Sequence, residues 1–162
     1  MGLDMYLDKR SYVKNWAHTD KNDQHEVTVK RGGSIREDIK PDRVKAVVEE
    51  VCYWRKANAI HGWFVNNVQD GQDDCREYDV SAEQLSELLA KVNVAIAAFD
   101  AGEKEKLDEI LPPTEGFFFG TYEYNESYKK DLEHTKQSLE KIIAEIPDDD
   151  NLWIDYTYQA SW

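Results

Sequence analysis

The C-terminal run from Leu152 to Trp162 alternates as only an extended strand requires. Ile154, Tyr156, Tyr158, Ala160 and Trp162 fall on one side, and Asp155, Thr157, Gln159 and Ser161 on the other. Such a strand cannot stand alone, because one side is apolar and its backbone groups need partners. A second strand of the same period starts near the other terminus, where Leu3, Met5 and Leu7 alternate with Asp4, Tyr6 and Asp8 across residues 2–8. With helical patterns between them, the two terminal strands predict a single α+β domain over residues 1–162. Its sheet is expected to be mainly antiparallel, with the last strand beside the first. A chain of 162 residues is long enough for one core.

Between the termini, His25 to Lys30 is a short β-prone run closed by Gly32 and Gly33. Val44, Val47, Val48 and Val51 fit either period, and their β-branching favours a strand over 44–52. Ala57, Ile60, Phe64 and Val68 then recur at helical spacing, which predicts a helix over 55–68. Ser81 followed by Gln84 has the form of a capping box. Leu85, Leu88, Leu89, Val92, Ile96 and Phe99 carry the helix it opens to about 99. Gly102 breaks it, and Glu103 to Ile110 adds a short helix. A last helix spans 126–146, striped by Tyr128, Leu132, Leu139, Ile142, Ile143 and Ile146 and stopped by Pro147.

Thirty-three acidic residues against twenty basic ones give a charge of −13, which disfavours a nucleic-acid partner. The same surplus suits a solvated surface or a basic protein partner. Cys52 and Cys75 form no zinc or disulfide framework. His18, His25, His61 and His134 show no metal-ligand spacing, so neither metal nor cofactor is expected. Asp131 and His134, three apart on a helix, read as a surface pair. No apolar run is long enough to span a bilayer, so no membrane partner is expected and a cytoplasmic protein is.

Chemistry concentrates in YWRKANAIHGWF, residues 53–64. On a helix, Arg55, Asn58 and His61 share one face while Ile60 and Phe64 point to the core. Arg55 offers a donor fork for phosphate or carboxylate, Asn58 a donor and an acceptor, and Trp54 and Trp63 flat faces for stacking. The opposing reading makes both Trp core anchors, His61 a satisfied buried imidazole, and Arg55 half of an ion pair. The second unusual segment is LPPTEGFFFG, residues 111–120. Alternation there sets Phe117 and Phe119 on one side and Phe118 on the other. Thr114, Gly116 and Phe118 are candidates for a pocket wall, with core packing the plainer account.

The start MGLDMYL, the segment YWRKANAIHGWF, and LPPTEGFFFG followed by the DLEHT helix together resemble a family of short bacteriophage and bacterial proteins. Some members carry the label phosphoglycerate kinase, which this chain, lacking a Gly-rich phosphate loop, does not support. The resemblance spans Met1 to Trp162 and implies phage association. It implies a shared pattern around Asp4, Trp54, Arg55, Asn58, His61, Trp63, Thr114, Gly116 and Phe117 to Gly120, and no catalytic residues. The leading expectation is a binder that sequesters an anionic, nucleotide-like molecule, such as a host immune signal, through Trp54, Arg55, Asn58, His61, Trp63, Thr114, Gly116 and Phe118. One alternative is a small enzyme using His61 with Asp4 to orient it; another is an acidic inhibitor of a basic host protein. A homodimer closed by the aromatic C-terminal strand is also expected.

Overall fold

A computed structural model describes residues 2–162; Met1, the first residue of the MGLDMYL start, lies outside the described residues. Two helices of nineteen residues pack beside a four-stranded antiparallel sheet. The strands are β1 (Asp4–Tyr12), β4 (Ala46–Arg55), β5 (Tyr78–Val80) and β6 (Ile154–Ser161), in the order β4-β1-β6-β5. Both terminal strands are therefore neighbours, as their shared period requires: Met5 lies opposite Ala160 and Leu7 opposite Tyr158. Two two-residue strands, β2 (Lys30–Arg31) and β3 (Ser34–Ile35), make a separate hairpin around Gly32 and Gly33, so the expected 25–30 strand shrinks to its last residue and the turn.

Helices α1 (Asn58–Asn67), α2 (Ala82–Asp100), α3 (Lys104–Ile110) and α4 (Glu126–Ala144) complete the domain. Ser81 caps α2 through the reciprocal bonds with Gln84, and the Asn125 side chain caps α4 at the Ser127 and Tyr128 amides. The 44–52 segment is a strand, as its β-branching suggested, but it runs on to Arg55 and turns into α1 only after Ala57. Helix α1 is therefore shorter than expected, and Arg55 belongs to the sheet.

Helices cover one sheet face. Leu3, Met5, Leu7, Cys52, Trp54, Tyr156, Tyr158 and Ala160 are buried beneath them. Phe64 of α1 stacks on Tyr158 with ring centroids 3.8 Å apart, and Trp54 meets α4 by donating its indole N–H to Thr135 Oγ1 at 2.8 Å. The opposite face carries partly exposed polar and aromatic groups, including Asp4, Tyr6, Tyr53 and Arg55. A register shift at Leu7/Asp8 leaves Val51 without a partner and restores alternation on either side of it.

The expected closure of a dimer along the C-terminal strand is not available over its centre. Tyr156 to Tyr158 are paired on one edge with β1 and on the other with β5. β6 falls inside the sheet because it has two apolar-faced neighbours to satisfy it, and the long free edge belongs to β4. Glu49, 3.6 Å from Lys9, and Glu50 lie near the middle of that edge. Among the described residues, no helix is long and apolar enough to cross a membrane.

Replacing Thr135 by Val keeps the volume but strands the Trp54 indole N–H in the core. Stability measured by urea denaturation should fall by about 1–3 kcal/mol. An unchanged midpoint would show that the indole finds another acceptor.

Candidate functional site

Arg55, Asn58 and His61 do not share a face. Arg55 ends β4 and is exposed, with Nη1 3.1 Å from Asp4 Oδ1, and the Tyr53 hydroxyl donates to the same carboxylate oxygen. Asn58 and His61 are buried in α1. The division in which Ile60 and Phe64 enter the core while Asn58 and His61 stay out is thus corrected: all four are inside. Helical periodicity failed because the whole first two turns of α1 are enclosed, from Asn58 to Val65.

The Asn58 amide is spent on its own chain. Its Nδ2 donates to the carbonyls of Phe119 at 3.1 Å and Thr121 at 2.9 Å, and its Oδ1 accepts from the Thr114 amide at 3.1 Å. These three bonds hold the 111–121 loop against α1. Two glycines make the fit possible. A β-carbon on Gly62 would come within 2.0 Å of Thr114 Oγ1, and one on Gly116 within 2.3 Å of the Phe119 ring. Thr114 and Gly116 thus serve packing, and neither lines the cavity at the β4–α1 turn.

His61 has no exposed surface. Its Nε2 lies 3.0 Å from Asp73 Oδ1 and its Nδ1 2.7 Å from the Tyr158 hydroxyl. Since a carboxylate offers only acceptors, Nε2 carries the proton and Nδ1 accepts from Tyr158. The rings of Phe119 and Trp162 close over the imidazole at 5.2 and 5.6 Å between centroids. Burial holds the His61 pKa below the ordinary imidazole value, partly offset by Asp73. Both nitrogens are occupied and water is excluded, so His61 is placed as a core residue. Its carboxylate partner is Asp73, not Asp4, which is committed to Arg55 and Tyr53. Trp54 and Trp63 are buried and offer no free ring face to a ligand.

The three phenylalanines do not form a strand. Phe119 is buried, while Phe117 is 80% and Phe118 48% exposed. Phe118 adopts a left-handed backbone, φ 66°, that breaks the alternation expected of it.

One cavity does gather ionic groups. About 340 Å³ in volume, it opens where β4 turns into α1 and is walled by that turn, the Gly120–Thr121 backbone and the start of α4. Arg55, Lys56 and Lys130 supply positive charge, Glu123 and Asp131 negative charge, and Thr121 and Ser127 hydroxyls. No side chain caps α1, and Ala59 and Ile60 of its first turn, whose amides have no helical partner, lie on the cavity wall. Lys56 holds φ 59°, another left-handed non-glycine, and Gly120 packs so closely that a β-carbon would sit 3.3 Å from Lys56 Cβ. Backbone strain of this kind costs energy that the surrounding structure must offset, and it concentrates at sites that bind or react.

Asp131 was expected to face solvent beside His134. Instead it lines this cavity, and burial pushes its carboxyl up to about 6. His134 turns to the Tyr53 carbonyl, 2.9 Å away, and to the Cys52 sulfur. Lys56, Lys130 and Asp131 are the site residues that sequence reasoning missed. Lys56 lay inside the conspicuous 53–64 segment, but nothing in its spacing linked it to the start of a helix some 70 residues on. Comparison with protein-family models, curated proteins and solved structures finds no match to this chain.

Asn58→Ala should lower stability by about 2–4 kcal/mol, the sum of three modest bonds. It should also open the 111–121 loop to limited proteolysis. Resistance equal to that of the parent chain would mean that glycine packing alone holds the loop.

Proposed function

We propose that the chain binds a small phosphate- or carboxylate-bearing molecule in the cavity between the β4–α1 turn and α4, and retains it unaltered. The observation that carries this reading is the convergence of Arg55, Lys56 and Lys130 with the uncapped first turn of α1 in a chain of net charge −13. A general acidic surface repels anions; here three cations gather against the carboxylates of Glu123 and Asp131, and anion recognition gives that local gathering of positive charge a use. Arg55 and Lys56 meet the anion at the mouth, the α1 amides receive it inside, and Thr121 and Ser127 hydroxyls bond its neutral part. At about 340 Å³ the cavity sits at the lower end of the roughly 300–1,000 Å³ typical of ligand pockets. That size favours a mononucleotide or sugar phosphate over a dinucleotide. A host immune nucleotide of this size is one candidate, in keeping with the phage resemblance.

Among the groups expected from sequence to bind, Arg55 keeps that role and Asn58 contributes its backbone to the wall. Trp54, His61, Trp63, Thr114, Gly116 and Phe118 lie outside its lining. A second reading rests on Asp131. A carboxyl titrating near 6 inside a cavity can take and return a proton near neutral pH, so a proton-transfer enzyme would use Asp131 rather than His61.

Incubation with a panel of mononucleotides and sugar phosphates, then filtration and heating of the retained protein, separates the readings. Release of an intact species supports retention, and release of an altered one supports the enzyme. Arg55→Ala and Lys56→Ala should each weaken binding about tenfold, the scale of one lost charge-assisted bond. Unchanged binding in both variants would sink the cavity as the site.

Protonation of Asp131 removes a negative charge from the cavity, so affinity for an anion that does not itself titrate, such as sulfate, should rise as pH falls from 7 through 6. Asp131→Asn should bind more tightly than the parent at pH 8, and the two should converge near pH 5. Parallel curves would remove Asp131 from the site.

A further inference from the structure

We infer that the groove at the opposite end of the sheet, between the chain after β1 and the segment entering β6, docks an extended arginine-bearing segment of a basic partner protein. This groove, about 1100 Å³, is lined by Tyr12, Trp16 and Trp153, with Lys45 on its rim. Trp16 is 54% and Trp153 70% exposed, whereas Trp54 and Trp63 are buried. Two large rings left in solvent beside one concavity mark a contact surface.

The walls are ordered by the chain itself. The Tyr12 amide donates to the Trp153 carbonyl at 2.9 Å, and the Val13 amide to the Lys45 carbonyl at 2.9 Å. Asn15 bonds the His25 backbone in both directions, at 2.7 and 2.8 Å, and the Trp16 amide donates to Thr19 Oγ1 at 2.8 Å. A partner would therefore meet a surface whose shape is set before binding, which lowers the ordering entropy of association.

Charge selects the occupant. Asp20, Asp23, Asp150 and Asp155 line the groove with Lys14, Lys45, His18 and His25, and none of these eight forms an ion pair among the described residues. On the far side of the 150–155 segment, Asp79 and Asp149 extend the acidic surface around a second concavity. The Trp16 ring already carries a cation, the Lys14 ammonium 4.1 Å from its centroid. An arginine fits these features together: its planar guanidinium stacks on an indole and presents paired donors to a carboxylate. An anion is repelled here, and a neutral ligand leaves the carboxylates unused. The acidic surplus of the whole chain adds long-range attraction for a basic partner.

Isothermal titration of the full chain with an acetylated, amidated hexa-arginine peptide tests this, with hexa-glutamate, maltohexaose and spermine as the other titrants. The expected result is saturable binding of hexa-arginine, weakened about three- to tenfold by Trp16→Ala or Trp153→Ala and by Asp150→Asn with Asp155→Asn. All four positions lie at the surface, and unchanged thermal melts will confirm that the variants fold. Glu103→Gln, Glu105→Gln and Glu109→Gln together, on and before α3 and outside the groove, should leave affinity nearly unchanged. An equal loss in that remote variant, or full affinity without the tryptophans, would reduce the attraction to diffuse charge and overturn the groove as the site. Equal affinity for spermine would replace the protein partner with a free polyamine, and Trp-dependent binding of maltohexaose would replace it with a carbohydrate.

Discussion

The amide of Asn58 holds together the part of this molecule on which its chemistry depends. Its three bonds, to Thr114, Phe119 and Thr121, join the first turn of α1 to a loop without regular structure that is more than fifty residues away in the chain. A loop backbone in contact with a core must satisfy its polar groups, and here one side chain answers three of them. The consequence reaches outward. With Thr121 fixed, Gly120 presses on Lys56, and the left-handed turn at Lys56 aims the chain from the sheet into the helix. The cavity lies where α1 begins without a side-chain cap of its own.

The same contact explains why YWRKANAIHGWF and LPPTEGFFFG are both unusual. They are two halves of one joint. Gly62 is small because Thr114 Oγ1 occupies the place of its side chain, and Gly116 is small because Phe119 folds back over it. His61 is polar because Asp73 and Tyr158 lie on either side of it, and Phe119 seals it. Residue types that suggested a ligand are explained in large part by the protein acting as its own ligand.

What the sequence made legible was periodic. The terminal strands, the capping box at Ser81 and the stripe of α4 each announced themselves through spacing of 2 or about 3.6 residues, because each presents one face to the core and one to water. α1 is enclosed on every side, so its polar residues carry no face information. Asn58 and His61 find partners 61 and 97 residues away, distances across which no local pattern operates. Phe118 misled for a backbone reason: one left-handed residue ends the alternation from which its orientation was read. Lys130 and Asp131 were hidden for the converse reason. They sit on the charged side of an amphipathic helix, where solvent is the usual neighbour, and only the tertiary fold brings them to a cavity wall.

The two concavities lie at opposite ends of the β1–β4 ladder, one beyond the Asp4–Arg55 pair and the other beyond the Tyr12–Ala46 pair. Nine residues at about 3.3 Å each put them more than roughly 25 Å apart, beyond two Debye lengths at physiological salt. Cations outnumber carboxylates in the lining of the first and carboxylates outnumber lysines in the second, so they favour different ligands, and screening keeps either from cancelling the other. The sheet between them is held by ladders on both sides of β1 and by the Phe64–Tyr158 stack, which leaves it no inexpensive way to bend. A small anion at one end and a basic partner at the other are therefore compatible in one molecule. Coupling between them requires an element with two arrangements, and the unpaired Val51 in β4 is where the ladder departs from regularity. Between Val51 and Arg55, however, β4 carries Cys52 and Trp54, both buried in the core, so no shift of register there reaches the cavity mouth without disturbing the core, and the two ends act independently.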